Sequence, residues 1–167
     1  MNVDVDRLVF QFPDDWQISQ YDKWQFYRKQ FMTARDGIKA IDLLALSPEH
    51  ILWLIEVKDY RQHQRTKVID LTDEMVGKVV DTLAALLPAA VGAINDHERS
   101  FARRALACDR LRVVLHLEQP RKTSKLFPRA IDPMDIRQKL RRRLKPIDPH
   151  PIVVDRSSTR RLGWTAR

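Results

Sequence analysis

The sequence predicts an α/β fold with a mixed central β-sheet flanked by helices. Three apolar segments rich in β-branched residues, at 41–46, 51–58 and 111–117, are typical of strands. The second and third are separated by a helical stretch long enough to return the chain to a parallel position. Hydrophobic residues form 44% of the 167 residues, which is enough for a core. We therefore expect one domain over residues 1–167.

The N-terminal part predicts a short strand followed by a helix. Apolar residues alternate loosely from Val3 to Phe12, and Pro13 ends this segment. Between 15 and 31 the aromatic residues fall near helical intervals, which favours a helix. The residues that give this spacing are Trp16, Trp24, Tyr27 and Phe31.

Two hairpins are predicted after this helix. The dipeptide at 36–37 is Asp-Gly, which suits the positive φ angles of a tight turn between strands at 31–34 and 38–46. The Ser-Pro-Glu-His sequence at 47–50 has turn composition and precedes the β-rich segment 51–58. Together these segments predict a three-stranded meander.

Two helices and a parallel strand are predicted next. Thr72 is a candidate N-cap, and apolar residues recur after it at i+3 and i+4 until Pro88, which we expect to end the helix. A second helix is expected at 96–108. The strand at 111–117 would then return parallel to an earlier strand, which makes the sheet mixed.

Basic residues are concentrated in the C-terminal part of the chain. The net charge is +8, yet residues 1–118 hold 16 Lys and Arg against 18 Asp and Glu, whereas residues 119–167 hold 14 against 4. A helix is predicted at 133–145 with one apolar face, and a last strand at 151–155. The basic side chains that we expect to contact nucleic acid are Arg137, Arg141, Arg142, Arg143 and Lys145.

This charge distribution predicts a polyanionic partner, because Lys and Arg that neutralise phosphates release condensed counterions. Nucleic acid, with DNA first, is the leading candidate, and a solvated basic surface or an anionic membrane are the alternatives. Cys108 is the one cysteine, which excludes an internal disulfide, and no His or Cys spacing indicates zinc. No leader segment or membrane-length apolar run is apparent, so we expect a cytoplasmic protein with no membrane partner.

One candidate site combines two neighbouring strands. Glu56 and Lys58 lie two residues apart, so on a strand both side chains point to the same face. A hairpin centred on Glu49 would place Asp42 directly opposite Glu56, with Cβ atoms roughly 4.5 to 5.5 Å apart. A register slip of one residue would put the two carboxylates on opposite faces.

Such a carboxylate pair predicts a metal site. Asp42 and Glu56 would repel each other without a cation between them, and Mg²⁺, with Mn²⁺ as an alternative, suits oxygen ligands completed by substrate phosphates. Lys58 could orient a nucleophile or offset negative charge on a phosphodiester transition state. The plain alternative is a surface strand end with an ordinary cross-strand ion pair.

These residues resemble the PD-(D/E)XK nucleases of restriction-endonuclease-like fold, through the pair 41–42 on one strand and the Glu-Val-Lys at 56–58 on the next. The order of helix, three-stranded meander, helices and strand over about 16–118 is also similar, with 119–167 as an added helix and strand. The resemblance implies that Asp42 and Glu56 bind metal and that Lys58 is catalytic. Where members add an acidic ligand from the first helix, the chain offers Asp22, or the earlier Asp14 and Asp15, and Ile41 stands where the family often has Pro.

Three hypotheses follow. The first is a Mg²⁺-dependent endonuclease that hydrolyses phosphodiester bonds of DNA. The second is a nucleic-acid-binding or scaffold module that keeps the nuclease fold without its chemistry, within a larger complex. The third is a membrane-surface or protein-interaction role for the basic helix. A homodimer or partner subunits are compatible with each.

Overall fold

A computed structural model of the chain describes residues 1–63, 65–120 and 131–167. A five-stranded sheet forms its centre, with helices on one face and a three-stranded sheet on the other. The elements are β1 (Asn2–Val5), β2 (Leu8–Gln11), β3 (Gln17–Gln20), α1 (Gln25–Lys29), β4 (Leu43–Leu46), β5 (Ile51–Asp59), α2 (Leu71–Gly92), α3 (Asp96–Leu106), β6 (Arg110–Glu118), α4 (Pro133–Arg143), β7 (Ile152–Val154) and β8 (Thr165–Ala166), with 3-10 helices at Tyr21–Lys23, Phe31–Thr33 and Thr159–Leu162.

The central sheet is mixed, as predicted. Its strand order is β3-β4-β5-β6-β7. The pairs β3/β4 and β4/β5 are antiparallel, whereas β5/β6 and β6/β7 are parallel. Helices α2 and α3 together form the crossover from β5 to β6. The bounds of α3, β6, α4 and β7 lie close to the predicted ones. The α/β class is therefore confirmed.

The strand predicted at 3–12 is a hairpin. Strands β1 and β2 pair antiparallel and turn at Asp6 and Arg7, which have positive φ angles of 46° and 67°. Strand β2 also pairs with β8 at the end of the described chain. The sequence did not predict this turn, because Asp-Arg lacks the Gly that usually marks two consecutive positive φ angles.

The helix predicted over 15–31 is wrong for most of its length. Its first part is strand β3, and α1 is only five residues long. Trp16 packs between the two sheets, whereas Trp24 and Tyr27 pack in the core beneath the helices. The aromatic spacing therefore serves two different cores and does not define one helical face.

The hairpin predicted at 36–37 is also wrong, because no strand flanks this turn on either side. The backbone N–H of Lys39 donates to the Asp81 carboxylate of α2 at 2.9 Å. That of Ile41 donates to the Thr82 hydroxyl at 3.1 Å. Side chains of α2 thus satisfy backbone groups that a sheet partner would otherwise satisfy. The third strand of the antiparallel meander is β3.

Strand alternation divides the core into two parts. On β5, Leu52 and Leu54 point toward the helices, whereas Trp53 and Ile55 point toward the three-stranded sheet. This is the period-two alternation expected of a strand that is covered on both faces. The even-numbered positions of the second half of β5 therefore face α2.

Helix α2 begins and ends differently from its prediction. Its N-cap is Asp70, whose carboxylate accepts a hydrogen bond from the Thr72 N–H at 2.7 Å. The helix continues through Pro88 to Gly92. Pro88 is exposed, so the carbonyl that loses its hydrogen bond at this proline can be solvated.

Helix α2 is also long and apolar enough to cross a membrane, by length and composition only. An 18-residue window of this 22-residue helix has a mean hydropathy of 1.5, and 44% of that window is buried inside the structure. This finding differs from the expectation that the chain has no membrane-length apolar segment. A core helix of a soluble protein has the same properties, and α2 packs on the sheet through Met75, Val79 and Leu86.

Candidate functional site

Asp42, Glu56 and Lys58 lie together on the helix-covered face of the central sheet. The register pairs Leu43 with Ile55, so that Asp42, which directly precedes β4, lies beside Glu56 as the hairpin geometry predicts. The Asp42 Oδ2 accepts a hydrogen bond from the Val57 N–H at 2.7 Å. The carboxylate is therefore fixed against β5.

Glu56 is a fully buried carboxylate held between two lysines. Its Oε1 lies 2.6 Å from the Lys58 Nζ and 2.5 Å from the Lys78 Nζ. The Lys78 Nζ is also 3.4 Å from the Asp42 Oδ1. Lys78 of α2 thus bridges the two carboxylates that the strands bring together.

Glu74, one turn earlier on α2, is a third carboxylate at this site. It lies 3.3 Å from the Lys58 Nζ, 2.8 Å from Arg65 and 2.6 Å from the Lys67 Nζ. Lys58 is therefore held by carboxylates on both the sheet and the helix. We refer to the residues joined by these ion pairs as the charged cluster: Asp42, Glu56, Lys58, Arg65, Lys67, Glu74 and Lys78.

Sequence reasoning missed Glu74, Lys78, Arg65 and Lys67. A signal for the first two exists, because both lie on the same helical face as the buried Met75 and interrupt its apolar stripe. A charged residue on a buried helical face requires a charged or hydrogen-bonding partner within the fold. The sequence offers no comparable signal for the pair that precedes α2.

Electrostatics distinguish the two glutamates. Burial, together with the charge of Asp42, raises the pKa of Glu56 to about 7 although Lys78 and Lys58 oppose this shift. Burial acts to raise the pKa of Glu74 as well, but hydrogen bonds from Lys67 and Arg65 outweigh it and lower the pKa to about 2. Glu74 is therefore the firmly ionised carboxylate, and Glu56 is the one that responds to a nearby cation.

The cluster is not an ordinary surface ion pair. The Glu56 and Glu74 side chains are only 1% and 2% exposed, and those of Lys58 and Lys78 are 15% exposed. Desolvating charges offsets much of their mutual attraction, so a buried ionic cluster contributes little net stability. Buried, perturbed charges that still reach solvent are typical of functional sites.

Asp42 and Glu56 carry oxygen atoms of the kind that Mg²⁺ prefers as ligands. Mg²⁺ is usually bound by one or two carboxylates together with substrate phosphates and water. The Glu56 Oε2 is buried and accepts no hydrogen bond from the described residues. In the same part of the chain, no group of three or more His, Cys, Asp or Glu could hold a metal, so Asp42 and Glu56 would need ligands from elsewhere.

Asp22 lies in a 3-10 helix and not in the predicted α-helix. Burial, followed by the charge of Asp42, raises the pKa of Asp22, whereas Lys78 acts in the opposite direction. Asp22 therefore shares the electrostatic environment of Asp42. Its assignment as a metal ligand stays a prediction.

Helix α4 has the predicted amphipathic character. Ile136, Leu140 and the adjoining Leu144 are buried. Its basic side chains point outward, and this set forms what we call the basic surface: Arg137, Arg141, Arg142, Arg143 and Lys145, all exposed. The predicted basic elaboration at 119–167 includes 121–130, which lie outside the described residues.

The basic surface adjoins the charged cluster at the beginning of α2. Lys139, Arg142 and Arg143 line a groove between α4 and the first turn of α2. An Arg143 guanidinium nitrogen lies 2.8 Å from the Asp73 carboxylate, and Asp73 directly precedes Glu74 of the cluster. A polyanion bound along α4 would therefore end close to the cluster.

Comparison with known proteins gives one informative similarity. The chain is 33% identical to a cysteine–tRNA ligase of Neisseria meningitidis, serogroup A, over an alignment of 156 positions that takes in 75% of this chain and 22% of the ligase. The prediction of a PD-(D/E)XK nuclease is wrong. No family model matches the chain, and no solved structure matches it.

The ligase similarity overturns the associated predictions as well. It does not support a DNA endonuclease or hydrolase, DNA as the partner, or an inactive scaffold of nuclease fold. The chain spans about a fifth of this ligase relative. A restriction-endonuclease-like core is not confirmed, and the helix and first hairpin on which that resemblance depended are not those of the structure.

The short motif was misleading for a geometric reason. Any Glu-X-Lys on a strand places both side chains on one face. A hairpin of suitable register then places whatever residue precedes the paired strand, here an Asp, beside the Glu. In this fold the Lys58 ammonium is held by Glu56 and Glu74. The convergence of three side chains therefore identifies a charged site without identifying a reaction.

Proposed function

We propose that this chain is an RNA-binding region of a tRNA ligase-type enzyme, with tRNA as the first candidate ligand. The observation that carries the proposal is the basic surface, whose five cationic side chains, four on α4 and Lys145 just after it, are exposed while the opposite face of the helix is buried. The name of the relative, cysteine–tRNA ligase, includes tRNA, and this favours RNA over DNA as the ligand. Joining an amino acid to tRNA is not proposed for this chain alone.

The basic surface suits a phosphate backbone. Arg and Lys side chains that point outward from one helix neutralise successive phosphates and release counterions, which gives affinity that depends on salt. Arg137 and Arg141 line one side of α4 near His150, and Lys139, Arg142 and Arg143 line the other. Both sides of the helix thus carry cations, of which Lys139 and Arg143 are paired with Asp135 and Asp73 at 2.8 Å.

The charged cluster is the proposed end of this RNA site. Asp42 and Glu56 would hold Mg²⁺, or Mn²⁺ in its place, and Lys58 would keep Glu56 in position through their 2.6 Å ion pair. When bound, the cation supplies positive charge and open coordination positions for phosphate oxygens. A cytoplasmic location and association with partner subunits stay predictions that agree with this proposal.

The proposal is tested by binding of a fluorescent tRNA transcript, with a DNA of the same sequence as competitor. We expect R137Q/R141Q to weaken tRNA binding at least about tenfold at low salt, because two phosphate contacts are lost. The control R160Q/R161Q removes two exposed arginines that lie beside the three-stranded sheet, and it should change affinity less than about twofold.

Equal losses in both double variants would contradict the proposal, because binding would then follow net charge and not the basic surface. Stronger binding of DNA than of tRNA by the wild-type chain would contradict the choice of RNA.

A further inference from the structure

We propose that Lys78 is a built-in cation that competes with Mg²⁺ for Asp42 and Glu56, so that a divalent cation binds there only as the Lys78 ammonium moves away. This inference rests on the proposed function, because it concerns the same carboxylate pair. It assigns Lys78 a role in setting the affinity and timing of metal binding.

The contacts of Lys78 define the competition. Its Nζ lies 2.5 Å from the Glu56 Oε1 and 3.4 Å from the Asp42 Oδ1, so it bridges one oxygen of each carboxylate. A divalent cation that joins the same two carboxylates needs this region of space. The repulsion between an ammonium and a divalent ion at such separation opposes their simultaneous binding between the two carboxylates.

Lys58 is less suited to this role. Its ammonium is held from two sides, by Glu56 at 2.6 Å and by Glu74 at 3.3 Å, and it makes no ion pair with Asp42 among the described residues. Lys58 and Lys78 both contact the Oε1 of Glu56, and the Glu56 Oε2 accepts no hydrogen bond within the described chain. Displacement of Lys78 would therefore remove the cation that bridges Asp42 and Glu56.

The Lys78 side chain is also able to move away from the carboxylate pair. Its side chain is 15% exposed and carries the charge on a flexible four-carbon stem. The charge of Lys78 acts to lower the pKa of Asp22, so the two side chains share one electrostatic environment. The movement requires rotation of one side chain and no change in α2.

The experiment is titration of metal-free protein with Mn²⁺, followed by electron paramagnetic resonance, without RNA. We expect K78M, which keeps the apolar stem and removes the charge, to bind Mn²⁺ about tenfold more tightly than the wild-type chain. The matched control is K67M, which removes the same charge from Glu74 without touching Asp42 or Glu56. It should change the affinity less than about twofold.

A second readout is thermal stability. In EDTA, K78M leaves the carboxylate pair without its bridging cation, so its Tm should fall, and Mn²⁺ should restore Tm more for K78M than for the wild-type chain. If K78M does not fold, K78Q provides the same comparison. Adding E56Q to K78M should abolish the tighter Mn²⁺ binding.

Three results would each overturn the inference. K78M could bind Mn²⁺ no more tightly than the wild-type chain, K78M and K67M could gain Mn²⁺ affinity equally, or no variant could bind Mn²⁺. Binding of tRNA by the basic surface in EDTA is measured on the same proteins. Retained tRNA affinity with no effect of K78M would reject the inference and leave the proposed RNA function in place.

Discussion

Glu74 shows how single residues give the charged cluster its electrostatic character. It lies on the buried face of α2 and is surrounded by Lys58, Arg65 and Lys67 at 3.3, 2.8 and 2.6 Å. These cations favour its ionised form in the folded chain and lower its pKa to about 2. The unfolded chain offers no such cations, so folding stability is linked to the ionisation of Glu74.

We predict that E74Q reduces stability in a pH-dependent manner. Because the folded pKa of Glu74 lies below its ordinary value of 4.5, its stabilising contribution is full above pH 4.5 and is lost as the pH falls toward 2. The difference between wild type and E74Q in free energy of unfolding should reach at most about 3 kcal/mol near pH 7. Urea unfolding in EDTA at pH 7, 5, 4 and 3 measures it.

The control for this prediction is D15N, which changes an exposed carboxylate outside the cluster. The free energy of unfolding of D15N should differ from that of the wild-type chain by a nearly constant amount at all four pH values. If the difference in free energy of unfolding between wild type and E74Q did not shrink between pH 5 and pH 3, Glu74 would act through packing and not through its charge.

At this scale the sequence predicted the sheet half of the cluster and missed the helical half. Asp42, Glu56 and Lys58 follow from strand alternation and hairpin register, which are local properties. Glu74 and Lys78 join them only because α2 docks on that face of the sheet. No local rule predicts which turn of a helix lies above a given strand residue.

Helix α2 determines the site at the scale of elements. It carries Glu74 and Lys78 over the sheet. Its Asp81 and Thr82 side chains also accept hydrogen bonds from backbone N–H groups of the 38–42 segment. Its Asp70 cap lies at the edge of the groove beside α4. The beginning of α2 therefore positions both the charged cluster and the basic surface.

We predict that D70A destabilises the chain by about 1 kcal/mol, the usual effect of losing an N-cap side chain. The Asp70 carboxylate accepts the Thr72 N–H at 2.7 Å, and Ala cannot replace this acceptor. Chemical denaturation at neutral pH measures the change, with D15A as the control. An effect of D70A no larger than that of D15A would mean that the cap contributes nothing to the stability of α2.

The same helix explains why prediction of elements succeeded in one half of the chain. From 71 to 118 each element is long and keeps one periodicity, so its pattern reports its own structure. In the first 42 residues, aromatic side chains enter two cores, and side chains of α2 replace sheet partners. Those interactions are long-range, and no local pattern encodes them.

At the scale of the whole molecule, the basic surface is separated from the two apolar cores. The two cores lie on opposite faces of the central sheet, and the basic surface lies on α4 at the outside of the helical layer. Through Arg143 and Asp73 this surface meets α2. A polyanion can therefore bind without disturbing either core.

This arrangement predicts how RNA binding responds to salt. The logarithm of the tRNA association constant should fall linearly with the logarithm of salt concentration, with a slope proportional to the number of phosphates neutralised. R137Q/R141Q removes two cations from the basic surface, so its slope should be smaller in magnitude by about 1.4 to 1.8. R160Q/R161Q, on the other side of the molecule, should keep the wild-type slope. Parallel lines for all three proteins would place the RNA contacts elsewhere, because a shift in affinity without a change in slope indicates that no phosphate contact was removed.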